Sequence, residues 1–345
     1  MRITLALTVL ALLVLSPVLV ACGSKDGGDG ADAGGSITIY AGRKGDVVEA
    51  IVEKFKAAND IEVTVVQNKS GSKLLAQLEA EKAAGKEVAD VFWVTDPAAL
   101  GAAAEAGMLA KLSDGITGKV GAGWRAKDGS WVGTSGRTRV LAYNPTLVKP
   151  EDMPKSLDDL LDPKWKGKIG WAPGNGSFQA FLTAMRGSVG DEKTKAWLEG
   201  MKKNEPKVYP KNTPIVAALA SGEIALGLTN HYYVTRAQVK DAEIPVKVAR
   251  FGAGDIGNLV MVSGAGVLKS SKNAKAAEAF VAFLLGEAAQ TYFTKDYCEY
   301  PVVSIDANER LVPLAELDKL SPEVDLSALR DHAATIEMLK AVGLQ

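Results

Sequence analysis

Apolar residues recur along the chain with two different periods. Ser36 to Tyr40 (SITIY) reads as a strand and runs into a glycine turn from Ala41 to Gly45. Asp46 has the chemistry to cap the helix that follows, in which Val47, Val48, Ile51 and Phe55 repeat at helical spacing. Ile61, Val63 and Val65 alternate as a second strand, and Leu74, Leu75 and Leu78 mark a second helix that ends near Gly85. Ala89 to Val94 is a buried strand, after which Asp96-Pro97 opens a third helix with proline at a favoured early position. Strands alternating with helices predict a mainly parallel sheet with helices on its faces. Ligands of such sheets sit at the carboxyl ends of strands, here the loops after Tyr40 and Val94.

The second half repeats the rhythm. Trp131 to Tyr143 is a long extended run suited to crossing between two lobes. Ile169-Gly170-Trp171 leads through Ala172 to Ser177 into a helix around Phe178 to Met185. Asn212 precedes another helix, which feeds a strand from Glu223 to Leu228. Asn258 to Val267 is apolar enough for a second crossing, and Ala274 to Leu285 is an amphipathic helix with Asn273 as its cap and Phe280 and Phe283 on its apolar side. Leu326 to Ala341 reads as a last helix, and no internal repeat is visible.

The N-terminus changes the picture of where the chain acts. Arg2 precedes an apolar run, Ile3 to Val20, that closes on Leu19-Val20-Ala21-Cys22, the composition of an export signal. The Leu-Val-Ala-Cys ending resembles the bacterial lipobox, so residues 1–21 are expected to be a lipoprotein signal peptide and Cys22 the lipidated residue, holding an exported chain to the cell membrane. A spanning anchor is the competing reading of a run this long; the cysteine at its boundary favours the lipoprotein. Residues 22–35, rich in Gly and Asp, read as a flexible tether. The length that remains favours about two domains. With 40 basic and 41 acidic residues there is no basic excess to argue for nucleic acid. Cys298 is the only other cysteine, so no intrachain disulfide is available once Cys22 is acylated. Two histidines, His231 and His332, are too few for a multi-histidine zinc site.

Candidate chemistry concentrates in Leu226 to Arg236 (LGLTNHYYVTR). Asn230 can cap a helix starting at His231, and on that first turn Tyr232 and Tyr233 both reach one cleft. Two phenolates form a hard oxygen pair that suits a hard trivalent cation, and tyrosine is an established iron ligand. Packing of both rings at a surface is the plainer alternative. Gly174-Asn175-Gly176-Ser177 lies between strand and helix, where free N–H groups and a hydroxyl suit an anion. Asn212 and Asn230 mark two more helix starts. Gly252 to Gly257 fits G-x-G-x-x-G but precedes a strand-like run, the wrong order for a dinucleotide site. HExxH, GxSxG and P-loop patterns are absent.

These stretches, together with ADVFW, SGRTRVLAYN, DPKWKGKIGWAP, YPKNTPIV, SGAGVLKSSKNAKAAEAFVAFL and EYP, run in order from Ser36 to Pro301. In that order the chain resembles the periplasmic ferric-ion-binding proteins, the solute-binding components of ABC importers. The resemblance implies a type II-like, two-lobed α/β binding protein, a monomer that carries Fe³⁺ to permease subunits without chemistry on it. The implied N-terminal lobe is 36–136 plus 263–312, and the C-terminal lobe 137–262 plus 313–345. It further implies Tyr232 and Tyr233 as iron ligands, and Asn175, Gly176, Ser177, Asn212 and Asn230 as the seat of a synergistic carbonate or phosphate. Arg43, Arg137 and Arg139 are candidates to neutralise that anion. Lys44 and Thr95 stand where some members have a His and a Glu, and Gly176-Ser177 where others have a third Tyr, which leaves Asp96 as the candidate extra protein ligand. Two other functions stay open: binding of a polyamine, thiamine, sulfate or phosphonate, with Tyr232, Tyr233 and Asp96 as a partial cation box, and an exported phosphatase with His231 as its base.

Overall fold

The computed structural model describes residues 35–68, 70–325 and 332–345. The expected signal peptide, Cys22 and the tether up to residue 34 lie outside the described residues, as do Leu326 to Asp331 of the expected last helix. The strands are β1 (Gly35–Gly42), β2 (Ile61–Gln67), β3 (Val91–Val94), β4 (Val132–Tyr143), β5 (Ile169–Trp171), β6 (Lys207–Val208), β7 (Leu226–Asn230), β8 (Lys247–Ala249) and β9 (Val260–Val267). The α-helices of the first half are α1 (Gly45–Ala58), α2 (Gly71–Ala84), α3 (Pro97–Glu105) and the short α4 (Asp114–Thr117). After them come α5 (Gly176–Val189), α6 (Asp191–Lys203), α7 (Asn212–Ala220), α8 (His231–Lys240), α9 (Ala274–Leu284), α10 (Glu287–Thr291), α11 (Leu314–Leu320) and α12 (His332–Ala341).

The parallel pairs lie within each lobe: β1 with β2 and β3, and β5 with β6 and β7. The crossing strands pair antiparallel, β9 with β3 and β4, and β4 with β7 and β8. β4 changes partner along its length. Up to Thr138, opposite Val260, it lies on β9; from Arg139, opposite Asn230, it lies on β7. The changeover therefore falls between two adjacent residues of one strand.

Burial follows the helical spacing read from the sequence. Val47, Val48, Ile51 and Phe55 are all buried on α1, and Phe55 meets Phe280 and Phe283 edge-on with ring centroids 5.1 and 5.3 Å apart. The second lobe is built around Trp171, which meets Phe178 at 5.6 Å and Trp197 at 6.4 Å. α7 lies so close on β7 that a Cβ at Gly227 would come within 2.5 Å of Ile215 Cγ2, so glycine is needed there. α12 docks on α5, where Thr335 Oγ1 is 2.9 Å from Thr183 Oγ1 and accepts from Arg186 Nη1 at 3.0 Å. No helix among the described residues is long and apolar enough to cross a membrane.

Three local expectations shift. Asp46 does not cap α1: Gly45 joins the helix, Lys44 takes the cap position, and the Asp46 carboxylate accepts from Val47 N inside the first turn. The strand before the tyrosines starts at Leu226, three residues later than read, because Glu223 N and Ile224 N both bond Ala218 O and finish the turn closing α7. Asn273 sits at the cap position of α9 without making a side-chain cap bond.

Candidate functional site

β7 delivers Asn230 to the end of the sheet, and α8 begins at His231 as its spacing predicts. Asn230 nevertheless makes no cap bond. Strand register places Arg139 opposite it, and the buried guanidinium donates through Nη1 to Asn230 Oδ1 at 3.0 Å. A charged donor outcompetes the helix N–H groups for that oxygen. The amide then turns its Nδ2 toward the Tyr232 hydroxyl at 3.4 Å.

On the same turn the rings of Tyr232 and Tyr233 lie 4.5 Å apart, tilted by 32°. Burial first, and the neighbouring Tyr233 second, hold the Tyr232 phenol well above its ordinary pKa, while Arg137 and Asn230 pull it the other way. One turn further, Arg236 covers the Tyr232 ring at 4.8 Å and the Tyr297 ring at 3.7 Å. It donates through Nε and Nη2 to Tyr297 O at 3.0 and 2.8 Å. The i, i+4 spacing of Tyr232 and Arg236 is the signal that the sequence carries for this contact.

His231 points away from this chemistry. Its Nδ1 accepts from Thr138 N at 3.2 Å, and Nε2, 2.9 Å from Cys298 O, donates to that carbonyl. Burial, then the nearby Arg250 charge, lower its pKa to about 3, so the ring is neutral at physiological pH. Both nitrogens are engaged, which leaves none to act as a base for the phosphatase reading.

A cavity of about 450 Å³ lies beside the tyrosine pair. Arg43, Asp96, Arg137, Gly176, Ser177 and Tyr232 line it, along with Lys44, Thr95 and, unforeseen, His332 at the start of α12. Asn175 and Tyr233 line a neighbouring hollow that shares Lys44. The Asn175 carbonyl oxygen Oδ1 caps α5, accepting from Ser177 N at 3.0 Å and Ser177 Oγ at 2.6 Å. Asn212 enters from α7 and donates to Ser177 Oγ at 3.2 Å. Loop, hydroxyl and the Asn212 amide thus meet at Ser177. Asn212 reaches Ser177 from outside the cavity lining, and Asn230 instead meets Arg139 and the Tyr232 hydroxyl.

The arginines separate. Arg43 is buried in an ion pair with Glu299 at 2.7 Å and donates to Ser135 Oγ at 2.9 Å, so its charge is already balanced. Arg139 lies behind Asn230, against Phe178 and Phe181, and burial lowers its pKa to about 10. Arg137 is different. It is 4% exposed, lines the cavity, and donates to neutral acceptors, Thr95 O at 2.7 Å and Ser263 Oγ at 3.3 Å. No carboxylate pairs with it among the described residues. Glu299 and Asp96 act on its charge without pairing with it directly, and a buried guanidinium with no ion pair of its own favours an anion beside it.

Protein carboxylates are scarce here. Asp96 lines the cavity and caps α3, its Oδ1 accepting from Ala98 N at 3.0 Å. The Thr95 hydroxyl donates to Gly42 O at 2.9 Å. No group of three His, Cys, Asp or Glu side chains that could hold a metal occurs among the described residues. Any metal bound here would rest on phenolate oxygen, on Asp96 and on atoms it brings with it.

A model of the bacterial extracellular solute-binding proteins matches residues 50–305. The chain belongs to that family. Similar to this solute-binding protein is the Fe(3+)-binding periplasmic protein of Serratia marcescens, 33% identical over 336 residues that cover 96% of each chain. The major ferric iron-binding protein of Neisseria gonorrhoeae is 32% identical over 90% of this chain and 93% of that one. Among solved structures, iron-bound HitA from Pseudomonas aeruginosa superposes with a TM-score of 0.80 at 34% identity, covering 90% of this chain and 99% of that one. The Trichodesmium IdiA (FutA) structure in complex with iron and citrate gives 0.76 at 28% identity, covering 90% and 100%. The two-lobed α/β fold read from the sequence is the fold of this family.

Proposed function

We propose that this protein captures ferric iron outside the cytoplasm and hands it to the permease of an ABC importer. The observation that carries the reading is the adjacent, half-buried phenol pair of Tyr232, which lines the cavity beside buried Arg137, and Tyr233, which lines the neighbouring hollow. Similarity to ferric-binding relatives over nearly the whole chain supports it. Tyr232 and Tyr233 are the protein ligands, and Asp96 is within the same cavity as a further oxygen donor. A small anion, carbonate or phosphate, rests on Asn175, Gly176 and Ser177 with Arg137 beside it, while Asn212 holds Ser177 and Asn230 holds the Tyr232 hydroxyl at its edge. An organic cation is disfavoured by the same Arg137 charge. The lobes, 36–136 plus 263–312 and 137–262 plus 313–345, close over the cargo.

Without an anion, Fe³⁺ meets a cleft whose buried charge is positive. Ferric affinity is therefore expected to collapse in buffer stripped of carbonate and phosphate and to return when either is restored. A competition titration against a chelator of known affinity reads this directly. Equal affinity with and without anion would sink the anion role and point to Asp96 as the missing ligand.

Anchoring rests on Cys22. In the processed chain, Cys22→Ala is expected to shift the protein from the detergent phase to the aqueous phase on Triton X-114 partition, since the acyl chains supply the anchoring. Retention of the variant in the detergent phase counts against lipidation there.

A further inference from the structure

We propose that Arg139 is a positioning residue for Tyr232. It locks the Asn230 amide in the one orientation that presents an N–H, rather than a carbonyl, to the phenol oxygen that takes the metal. This rests on the ferric reading above and adds to it a residue that touches neither iron nor anion. Three observations lead to it.

The first is the direction of the hydrogen bonds. A guanidinium carries only donors, whereas a side-chain amide has a donor end and an acceptor end of nearly the same shape. Arg139 Nη1 donates to Asn230 Oδ1 at 3.0 Å, so the acceptor end is committed and Nδ2 is left facing the Tyr232 hydroxyl at 3.4 Å. Turned the other way, the amide would set donor against donor at Arg139 and a carbonyl against the Tyr232 oxygen. That carbonyl would hold the phenol O–H as its partner and would repel the oxygen once it had become a ligand. With Nδ2 in place the ligand oxygen gains a donor, and the adjoining cation polarises the amide and strengthens it.

The second is the cost of the arrangement. Arg139 is 2% exposed, pairs with no carboxylate among the described residues, and leaves Nη2 without a hydrogen-bond partner. The Phe178 and Phe181 rings, 5.7 and 5.5 Å away, offset part of this. An apolar side chain would fill the same space without burying a charge. The groups whose negative charge acts on Arg139 are Tyr232 and Tyr233. Its charge therefore finds an opposite one when those oxygens become ligands.

The third is register. Arg139 and Asn230 are directly opposed residues of β4 and β7, and Tyr232 follows two residues later on the first turn of α8. The orientation of the amide is thus built into the sheet and needs no cargo to set it.

The test replaces Arg139 in the full-length protein in three ways. Arg139→Met keeps an apolar stem against Phe178 and Phe181 and has no donor, Arg139→Gln keeps a donor without charge, and Arg139→Lys keeps both. Iron-free Arg139→Met is expected to unfold in urea at or above the wild-type midpoint, because an unpaired buried charge is gone. Chelator competition in bicarbonate should show its ferric affinity lowered by roughly 10–100-fold, the range for an outer-shell partner of a metal ligand. Its visible band should move to longer wavelength, since an oxygen with a weaker donor releases electron density to the ferric ion more readily. Arg139→Gln and then Arg139→Lys should bring band and affinity back toward wild type in that order, a series that stands even if Arg139→Met does not fold. The bicarbonate requirement should stay that of wild type throughout. A band that does not move across the folded variants overturns the proposal: with a lower urea midpoint it makes Arg139 purely structural, and with a raised bicarbonate requirement it assigns Arg139 to the anion. Wild-type protein that binds no ferric ion overturns the ferric reading itself.

Discussion

Tyr232→Phe and Tyr233→Phe are each expected to bleach the visible charge-transfer band of the ferric protein. Each should weaken iron binding by more than the roughly 10–100-fold that loss of an outer-shell partner costs. Only a hydroxyl is removed in each case, so the fold should stand, and circular dichroism and urea midpoints should stay near wild type. The same chemistry fixes the sign of the pH effect. Burial and the adjacent phenol keep Tyr232 protonated well above its ordinary range in the empty protein, so iron must displace that proton. Apparent affinity should then fall by at least about tenfold for each pH unit of acidification, one proton being released per bound phenolate. If both variants hold ferric ion like wild type, the tyrosines are packing and the proposed site is wrong.

Glu299→Ala is expected to cost about 3–5 kcal/mol of stability, the range for leaving one member of a buried ion pair alone. Arg43 is 3% exposed and stacks at 5.3 Å from both Trp93 and Phe293, where water cannot replace the lost carboxylate. Ser135 would lose its 2.5 Å acceptor at the same time. Burial alone would raise the Glu299 pKa, but Arg43 and the hydrogen bond from Ser135 more than reverse this and hold it below the ordinary carboxylate value. The pair's contribution is therefore present above the unfolded carboxylate pKa and is lost as pH falls through the lower, folded value. Urea denaturation at neutral pH reads the loss. The double variant Arg43→Met with Glu299→Leu should recover much of it, whereas a wild-type midpoint for Glu299→Ala would show that the pair contributes nothing.

What could be read from the sequence was local. The α1 core face, the Asp96-Pro97 start of α3, the Gly85 stop of α2 and the tyrosine pair on a first helical turn each depend on neighbours within a few residues. What could not be read depends on register and distance. Glu299 meets Arg43 across 256 positions, and nothing around Glu299 announces a partner. Asn230 looks like a cap from its own neighbours; only the β4–β7 register shows that Arg139 takes its oxygen instead. Apolar runs likewise do not carry strand direction, so the antiparallel pairing of the crossing strands came from the structure alone. His332 entered the cavity through the docking of a helix more than a hundred residues downstream of Ser177.

The changeover within β4 ties mechanics to acidity. Arg137 lies on the β9 side of it, opposite Met261 and bonded to Thr95 O and Ser263 Oγ, whereas Tyr232 follows β7 on the other side. Arg137 favours ionisation of the Tyr232 phenol from across that changeover. The acidity of the phenol is therefore tied to how the two halves of β4 are aligned: a bend between Thr138 and Arg139 that carried the guanidinium away would raise the phenol's pKa and let a proton compete better for its oxygen.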